Sequence, residues 1–223
     1  QVSANVDAGF SIVKYTGNGS AGATIGHGID TPELIILKNL DVADNWAVYN
    51  STSGATKYMN LNQAYAAGTA STIWNDTEPT STVFSVGTST DVNGSGNDLI
   101  AYCFHSVSGY QKIGTYTGTE TTNPVYTTDN GASGGANGFE PRFVMVKSVG
   151  AAQEWYMWDN ERSTSVGSNP SSSAKPYLRP NSSGAENSQD SANIGFNSNG
   201  FSLIGGAKAH NEEFVNYIYL AIA

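Results

Sequence analysis

In the segment Asp91-Val92-Asn93-Gly94-Ser95-Gly96-Asn97-Asp98, side-chain oxygens fall at the spacing a cation would need. Asp91, Asn93 and Ser95 stand at positions one, three and five, and a glycine follows at six. Asp98 adds a second carboxylate, so the run imitates the start of a calcium loop. The bidentate carboxylate that closes such a loop is missing, because Tyr102 stands at its place. Asn93-Gly94 is also a turn pair, and it falls where a hairpin turn is expected. Calcium at Asp91, Asn93, Ser95 and Asp98 therefore stands beside a plain Asn-Gly turn as the default reading.

Other chemistry is thinner. Trp74-Asn75-Asp76 offers an aromatic ring beside two hydrogen-bonding side chains, the pattern of a glycan contact if the ring faces solvent; a buried edge tryptophan is the default reading. Tyr65, Tyr110 and Tyr126 also sit near loops or strand ends. Paired carboxylates for glycoside hydrolysis exist at Asp76 with Glu78 and at Asp159 with Glu161. The plainer reading of the second pair is a turn capped by Asp159, with Arg162 pairing Glu161. Gly131-Ala132-Ser133-Gly134-Gly135 matches a nucleophile elbow in letters only, since it lies inside a Gly/Asn-rich loop and no helical pattern follows. His27, His105 and His210 show no metal-ligand spacing. Cys103, the single cysteine, lies in the apolar run Leu99 to Phe104 and reads as a small buried hydrophobe.

The elements that must carry these residues are strands, and they come twice. Gly9-Phe10-Ser11-Ile12-Val13-Lys14-Tyr15-Thr16-Gly17 recurs as Gly109-Tyr110-Gln111-Lys112-Ile113-Gly114-Thr115-Tyr116-Thr117-Gly118, longer by one residue. An extra residue in a strand predicts a β-bulge near Lys112 to Gly114. Pro32 to Lys38 recurs as Pro141 to Lys147, and Asn45 to Tyr49 as Glu154 to Trp158. Tyr58 to Asn62 recurs as Tyr177 to Asn181, and Phe84 to Gly87 as Phe201 to Gly205. Each copy closes on an apolar strand, Leu99 to Phe104 and Tyr217 to Ile222.

The blocks are short, rich in β-branched and aromatic residues, and bounded by turn formers; no stretch has a 3.6-residue period. The apolar cores Leu34–Leu37 and Phe143–Val146 suit strands buried on both faces. The repeated Trp46/Trp155 and Tyr49/Trp158 positions argue for packing. We therefore expect an all-β fold of two sequence-related, jelly-roll-like β-sandwich units packed closely, residues 1–107 and 108–223. One large sandwich with pseudo-twofold symmetry is the alternative. The copies differ in their connections: Gly17 to Asp30, Gly118 to Glu140, Glu161 to Lys175 and Asn181 to Ala192. These are expected to be long loops, the places where function or mobility concentrates.

Composition narrows the partners. Of 223 residues only 13% are charged, with ten Lys plus Arg and a formal net charge of −9. That balance argues against nucleic acid, whose phosphates demand a basic face, and against an anionic membrane surface. No apolar stretch approaches the length that spans a bilayer. One cysteine permits no intrachain disulfide. The chain opens Gln1-Val2-Ser3-Ala4-Asn5 without an initiator Met, which reads as a piece of a longer chain or a matured one.

Together these blocks resemble a two-repeat domain of virion proteins from tailed phages, especially marine ones, often within tail fibres. The resemblance is carried by Gly9-Phe10-Ser11 through Tyr15-Thr16-Gly17, Gly26-His27-Gly28, Pro32 to Lys38, Trp74-Asn75-Asp76, Thr82 to Gly87 and Ala101-Tyr102-Cys103-Phe104. In the second copy it is carried by Tyr116-Thr117-Gly118, Pro141 to Lys147, Tyr177-Leu178 and Tyr217-Ile218-Tyr219. The second copy departs from that pattern at Glu212-Glu213-Phe214, where small residues are usual. The resemblance implies a non-enzymatic structural protein on the virion surface, homo-oligomeric, in contact with other virion proteins and contributing to host attachment. The competing expectations are a lectin-like module for host surface glycans and, behind it, a glycan-degrading enzyme. No cofactor is expected beyond the calcium considered above.

Overall fold

The computed structural model describes residues 1–162, 176–186, 193–205 and 209–223. Its contacts divide the chain into two compact units, Gln1–Ser106 and Val107–Ala223. Unit 1 holds β1 (Val2–Asn5), β2 (Phe10–Thr16), β3 (Ala23–Gly26), β4 (Leu34–Asn39), β5 (Trp46–Asn50), β6 (Lys57–Asn60) and β7 (Gly68–Thr69). It continues through a helical turn α1 (Ser71–Trp74), β8 (Val83–Val86), a second turn α2 (Thr90–Asn93) and β9 (Asp98–Phe104). Unit 2 holds β10 (Gln111–Thr117), β11 (Asn123–Tyr126), β12 (Phe143–Ser148), β13 (Trp155–Asp159), β14 (Asn193–Asn197), β15 (Gly200–Ile204) and β16 (Asn216–Ile222).

Among the described residues every strand pairing is antiparallel, and every sheet is drawn from one unit. Unit 1 has a large sheet in the order β1-β2-β9-β4-β5-β6-β7 and a small one, β3-β8. Unit 2 has β10-β16-β12-β13 and β11-β15-β14. The fold is all-β, of the sandwich class, and each core lies between a large and a small sheet. In unit 1, Val13, Ile35, Leu37, Tyr49, Leu99 and Ala101 of the large sheet meet Phe84 and Val86 of the small one. In unit 2, Val144, Val146, Trp158, Tyr217 and Tyr219 meet Val125, Phe201 and Leu203. The alternation of these strands puts every second residue inward.

The duplication extends to register. Phe10 faces Phe104 as Gln111 faces Ile222, and Leu34 faces both Phe104 and Asn50 as Phe143 faces both Ile222 and Asp159. Ala23 faces Val86 as Asn123 faces Leu203. A one-residue slip would turn a strand's apolar set to the wrong face, so matching registers mean matching cores.

Four expectations need correction. β10 has no bulge against β16: it runs in unbroken register from Gln111 to Thr117, seven residues long like β2. The extra residue is absorbed before the strand, in the turn closed by the Val107–Gln111 bridge. The stretches Gly17 to Asp30 and Gly118 to Glu140 are not single loops, since they carry β3 and β11. Those strands are four residues long and apolar at one or two positions, too few to show alternation. No hairpin turn lies at Asn93-Gly94, because β8 belongs to the small sheet and β9 to the large one. The link between sheets needs α2 and a turn instead. Finally, Trp46 is half-buried where its counterpart Trp155 is fully buried. The loop expectations at 163–175 and 187–192 lie outside the described residues.

Candidate functional site

The Asp91–Asp98 segment is a latch. Asn93 is buried and turns its carboxamide onto the chain after β2. Its Oδ1 accepts from the Asn18 N–H (2.9 Å). Its Nδ2 donates to the carbonyls of Ser20 (2.9 Å) and Gly87 (2.8 Å) and to Asn18 Oδ1 (3.2 Å). Asp91 Oδ1 accepts from the Asn45 N–H, and burial holds its carboxyl above the usual carboxylate range. Asp98 is drawn out along β9 to Lys14 (2.7 Å), which pulls its carboxyl below that range. Ser95 is exposed at the turn. Asp91, Asn93 and Asp98 thus look toward different partners, and Asn93 spends its carboxamide on the chain itself. Among the described residues no three of His, Cys, Asp and Glu gather as a metal would need. Of Asp91, Asn93, Ser95 and Asp98, the residues considered for calcium, Asn93 closes the fold.

Unit 2 builds the same latch from a different sequence. Asn211 Oδ1 accepts from the Thr119 N–H (3.0 Å), and its Nδ2 donates to the carbonyls of Thr121 (2.5 Å) and Gly205 (2.9 Å). Tyr15 Oη donates to the Val92 carbonyl (2.5 Å), and Tyr116 Oη donates to the His210 carbonyl (2.6 Å). Gly17 must be glycine, since a Cβ there would sit 2.3 Å from the Gly94 carbonyl oxygen; at Gly118 it would sit 2.0 Å from that of Glu212. Gly96 (φ 77°) corresponds to Phe214 (φ 62°), so an aromatic residue holds a left-handed turn position and is 82% exposed. Sequence comparison missed this match, because only Asn93 and Asn211 are shared across the two eight-residue segments.

The remaining candidates are structural as well. Trp74 ends α1 with 2% exposure and meets Tyr49 edge-to-face at 5.8 Å, so it presents no open face to a sugar. Asn75 and Asp76 follow it in left-handed conformation (φ 54° and 47°), which turns the chain out of α1. The glycan contact expected at Trp74, Asn75 and Asp76 thus loses its ring. Glu78 is taken by Tyr49 Oη (2.5 Å) and the Ala55 N–H (2.7 Å), not by Asp76. Asp159 caps its turn through the Arg162 N–H (2.8 Å) as expected. Arg162, however, pairs with Asp159 and Glu186, while Glu161 reaches Arg142.

His27 and His210 are buried, each against a backbone carbonyl, of Thr80 and Asn193 respectively, and burial lowers both pKa values. His105 meets the Thr31 carbonyl at 2.8 Å. Cys103 is fully buried, and burial pushes its thiol up to about 12. Gly131 to Gly135 forms turns, with the Gly131 N–H on the Thr128 carbonyl and that of Gly135 on the Ala132 carbonyl, and no helix follows.

The concave feature that sequence reasoning missed is in unit 2. A cleft of about 360 Å³ opens between edge strands β10 and β11. Lys112, Gly114, Thr115 and Tyr116 line one wall, Pro124 and Tyr126 the other, with Asp129, Asn130 and Gly131 at the rim and Tyr219 also in the lining. Its origin is a pair exchange. Val13 faces Ala101 across β2 and β9, whereas Gly114 faces Tyr219 across β10 and β16. The Tyr219 ring lies over Gly114, where a Cβ would meet it at 2.6–2.8 Å, and its hydroxyl donates to the Tyr126 carbonyl (3.2 Å). In unit 1 the corresponding edge is covered by β1, with Val2 and Ala4 beside Gly28. The signal was present in the sequence as Gly114 against Val13, but its meaning depended on the residue across the ladder.

No curated protein and no solved structure matches this chain. A family model does match, described as a domain of unknown function and spanning residues 1–223. That match covers both latches, both sandwiches and the cleft, and the chain belongs to the DUF7483 family.

Proposed function

We propose that this chain is a non-enzymatic structural component of a tailed-phage particle. It stands on the surface of a tail fibre, appendage or capsid, assembles with copies of itself and with other virion proteins, and contributes to host attachment. The observation that carries this reading is the duplicated frame. Two units keep the same registers and the same buried asparagine latch, while the surface between the strands differs. Such a frame suits the display of loops on a rigid scaffold. The sequence resemblance to two-repeat phage domains supports the same placement. Low charge and abundant Ser, Thr and Asn suit a surface that works outside a cell.

The test is electron microscopy of native particles together with labelling by antibodies raised against this chain. Symmetry-related copies at a fibre, tail or capsid position are expected. Unlabelled particles from a host that makes the chain, with the protein recovered as a stable monomer, would sink the proposal.

A further inference from the structure

We infer that copies of this chain join head to tail through unit 2, with the Phe214 side chain of one copy seated in the β10/β11 cleft of the next. This deepens the self-assembly proposed above by naming its contact, and it rests on that part of the reading.

The projection comes first. Phe214 is 82% exposed, the most open of the large apolar side chains among the described residues. It holds a left-handed backbone (φ 62°), and so does Glu120 (φ 57°) on the other strand of the latch. Unit 1 has glycine at both places, Gly96 (φ 77°) and Gly19 (φ 71°). Two residues with side chains thus stand where glycine would fold at less cost. The latch keeps them there. The Phe214 N–H donates to the Gly118 carbonyl (3.2 Å), and the Glu120 N–H to that of Asn211 (2.9 Å). A ring on so fixed a turn loses little freedom when it docks, which is what an interface anchor needs.

The recess comes second. About 360 Å³ lies at the small end of ligand pockets, which run about 300–1,000 Å³, and suits one aromatic side chain with its flanks. Pro124 and Tyr126 form one wall; Gly114, backed by the Tyr219 ring, forms the other. Unit 1 shows what closes such an edge. There β1 pairs with β2, and Val2 and Ala4 lie where a Cβ on Gly28 would meet them at 3.2 Å. Unit 2 has no such strand among the described residues, and β10 is the outermost of its sheet. Projection and recess are both departures of unit 2 from the duplicated frame, one outward and one inward.

Charge favours the pairing. Lys112 at the recess donates to the Asp129 carbonyl (2.8 Å) and makes no ion pair among the described residues. The Asp129 carboxylate at the rim is turned to Asn137 (2.9 Å). An ammonium carries three donors, so Lys112 retains some for a carboxylate from outside. Glu213 and Glu120, exposed and also outside any ion pair among the described residues, stand beside Phe214. Their counterparts in unit 1 are neighbours, since a Cβ on Gly19 would lie 3.3 Å from that of Ser95. On a chain of net charge −9, copies repel over most of their surface, and a contact that brings carboxylates to Lys112 is selected against that background. A projection and a recess at different places on one unit make a heterologous contact, which builds rings or open chains.

The test is sedimentation velocity of the full chain over a range of concentrations. Concentration-dependent association is expected in the parent, weakened at least tenfold by Phe214→Gly, which should fold at least as well. Gly114→Val with Tyr219→Ala restores the pair that unit 1 uses and closes the recess. Lys112→Glu reverses the charge at its rim and leaves the core alone. Each should also weaken association at least tenfold, and Glu213→Lys should restore it to Lys112→Glu. Mixing reads the geometry. Phe214→Gly keeps the recess and Lys112→Glu keeps the projection, so the mixture should form a one-to-one dimer that neither variant forms alone. In it, ¹⁵N-labelled Phe214→Gly should show NMR shifts at Gly114, Asn130 and Gly131. Three outcomes overturn the inference: a parent that is monomeric at every concentration, variants that associate like the parent, or a mixture that stays monomeric. Particle labelling is read separately. Labelled particles together with variants that associate like the parent remove this contact and leave the placement; the contact found in solution with unlabelled particles does the reverse.

Discussion

Replacing Asn93 by alanine should loosen unit 1, and the structure indicates by how much. The side chain makes one bond in a fully buried setting, to the Gly87 carbonyl, and further bonds in partly buried ones to Ser20 and to both backbone and side chain of Asn18. A net contribution of about 0.5–1.5 kcal/mol per bond, with the largest penalty where a buried carbonyl loses its donor, gives roughly 3 kcal/mol for Asn93→Ala. Asn211→Ala should cost unit 2 a similar amount through Thr119, Thr121 and Gly205. Urea unfolding measures this, with tryptophan emission as the probe. The same titration with millimolar calcium separates the latch from a metal site, since a ligand that binds only the native state raises stability by mass action. The latch predicts equal midpoints with calcium and with chelator. A loss below 1 kcal/mol in Asn93→Ala, or a calcium-dependent midpoint in the parent that vanishes in the variant, would refute the reasoning.

Further expectations follow from single positions. Burial beside Tyr156 and Trp158 lowers the His210 pKa from an ordinary 6.5 to about 4. The unfolded chain therefore binds the proton more readily, and stability is full above pH 6.5 and falls as pH drops toward 4. The loss should approach roughly 3 kcal/mol, and His210→Val, the residue unit 1 has at Val92, should flatten that slope in pH-dependent urea melts. Gly17→Ala should cost several times more than Gly96→Ala. The first Cβ lands 2.3 Å from a backbone oxygen, while the second meets nothing within 4 Å and bears only the left-handed backbone, about 1–2 kcal/mol; paired thermal melts decide. Phe214→Gly relieves a left-handed aromatic that is 82% exposed, so the melting midpoint should rise, equivalent to about 1 kcal/mol.

How much of this was legible beforehand depends on the range over which a residue's meaning is set. The strands were legible because their information is local. Leu34 to Leu37 proved buried on both faces as their unbroken apolar run implied, although Phe143, which starts the matching run, is half-buried. β3 and β11 were illegible because Ala23-Thr24-Ile25-Gly26 and Asn123-Pro124-Val125-Tyr126 become strands only through their partners β8 and β15. The calcium-like spacing of Asp91 to Asp98 is a weak signal for a related reason. Side chains at alternate positions converge on a metal only if the backbone curls around it. Here α2 turns Asn93 inward, while β9 carries Asp98 away to Lys14. Trp74 is buried, as the plainer of its two readings has it, although one turn of helix is too short to show a buried face in sequence. The second latch was invisible since its geometry is held by Asn211 and backbone groups, which tolerate Glu, Phe and Val where the first has Gly, Gly and Asn.

The exchange of Val13 and Ala101 for Gly114 and Tyr219 shows how a duplicated sandwich acquires a feature that its twin lacks. Cross-strand neighbours share one packing volume, so a large residue on one strand can be traded for a large residue on the other. The trade is not neutral in chemistry, because a valine ends in methyl groups and a tyrosine ends in a hydroxyl. It is also not neutral in position. The Tyr219 side chain starts from an interior strand, crosses the glycine and reaches the carbonyl of Tyr126 on the opposite sheet. The edge strand β10 thereby loses bulk at its centre while the core behind it stays filled, with Tyr219 only 4% exposed and edge-to-face on Phe201 at 5.2 Å. Neither change works alone. Valine at 114 would press on the Tyr219 ring, and alanine at 219 opposite a glycine would leave a void. A linked pair of this kind keeps the frame and changes the surface. That is why the cleft lies beside Gly114, at a position where the strands of the two copies are otherwise in the same register.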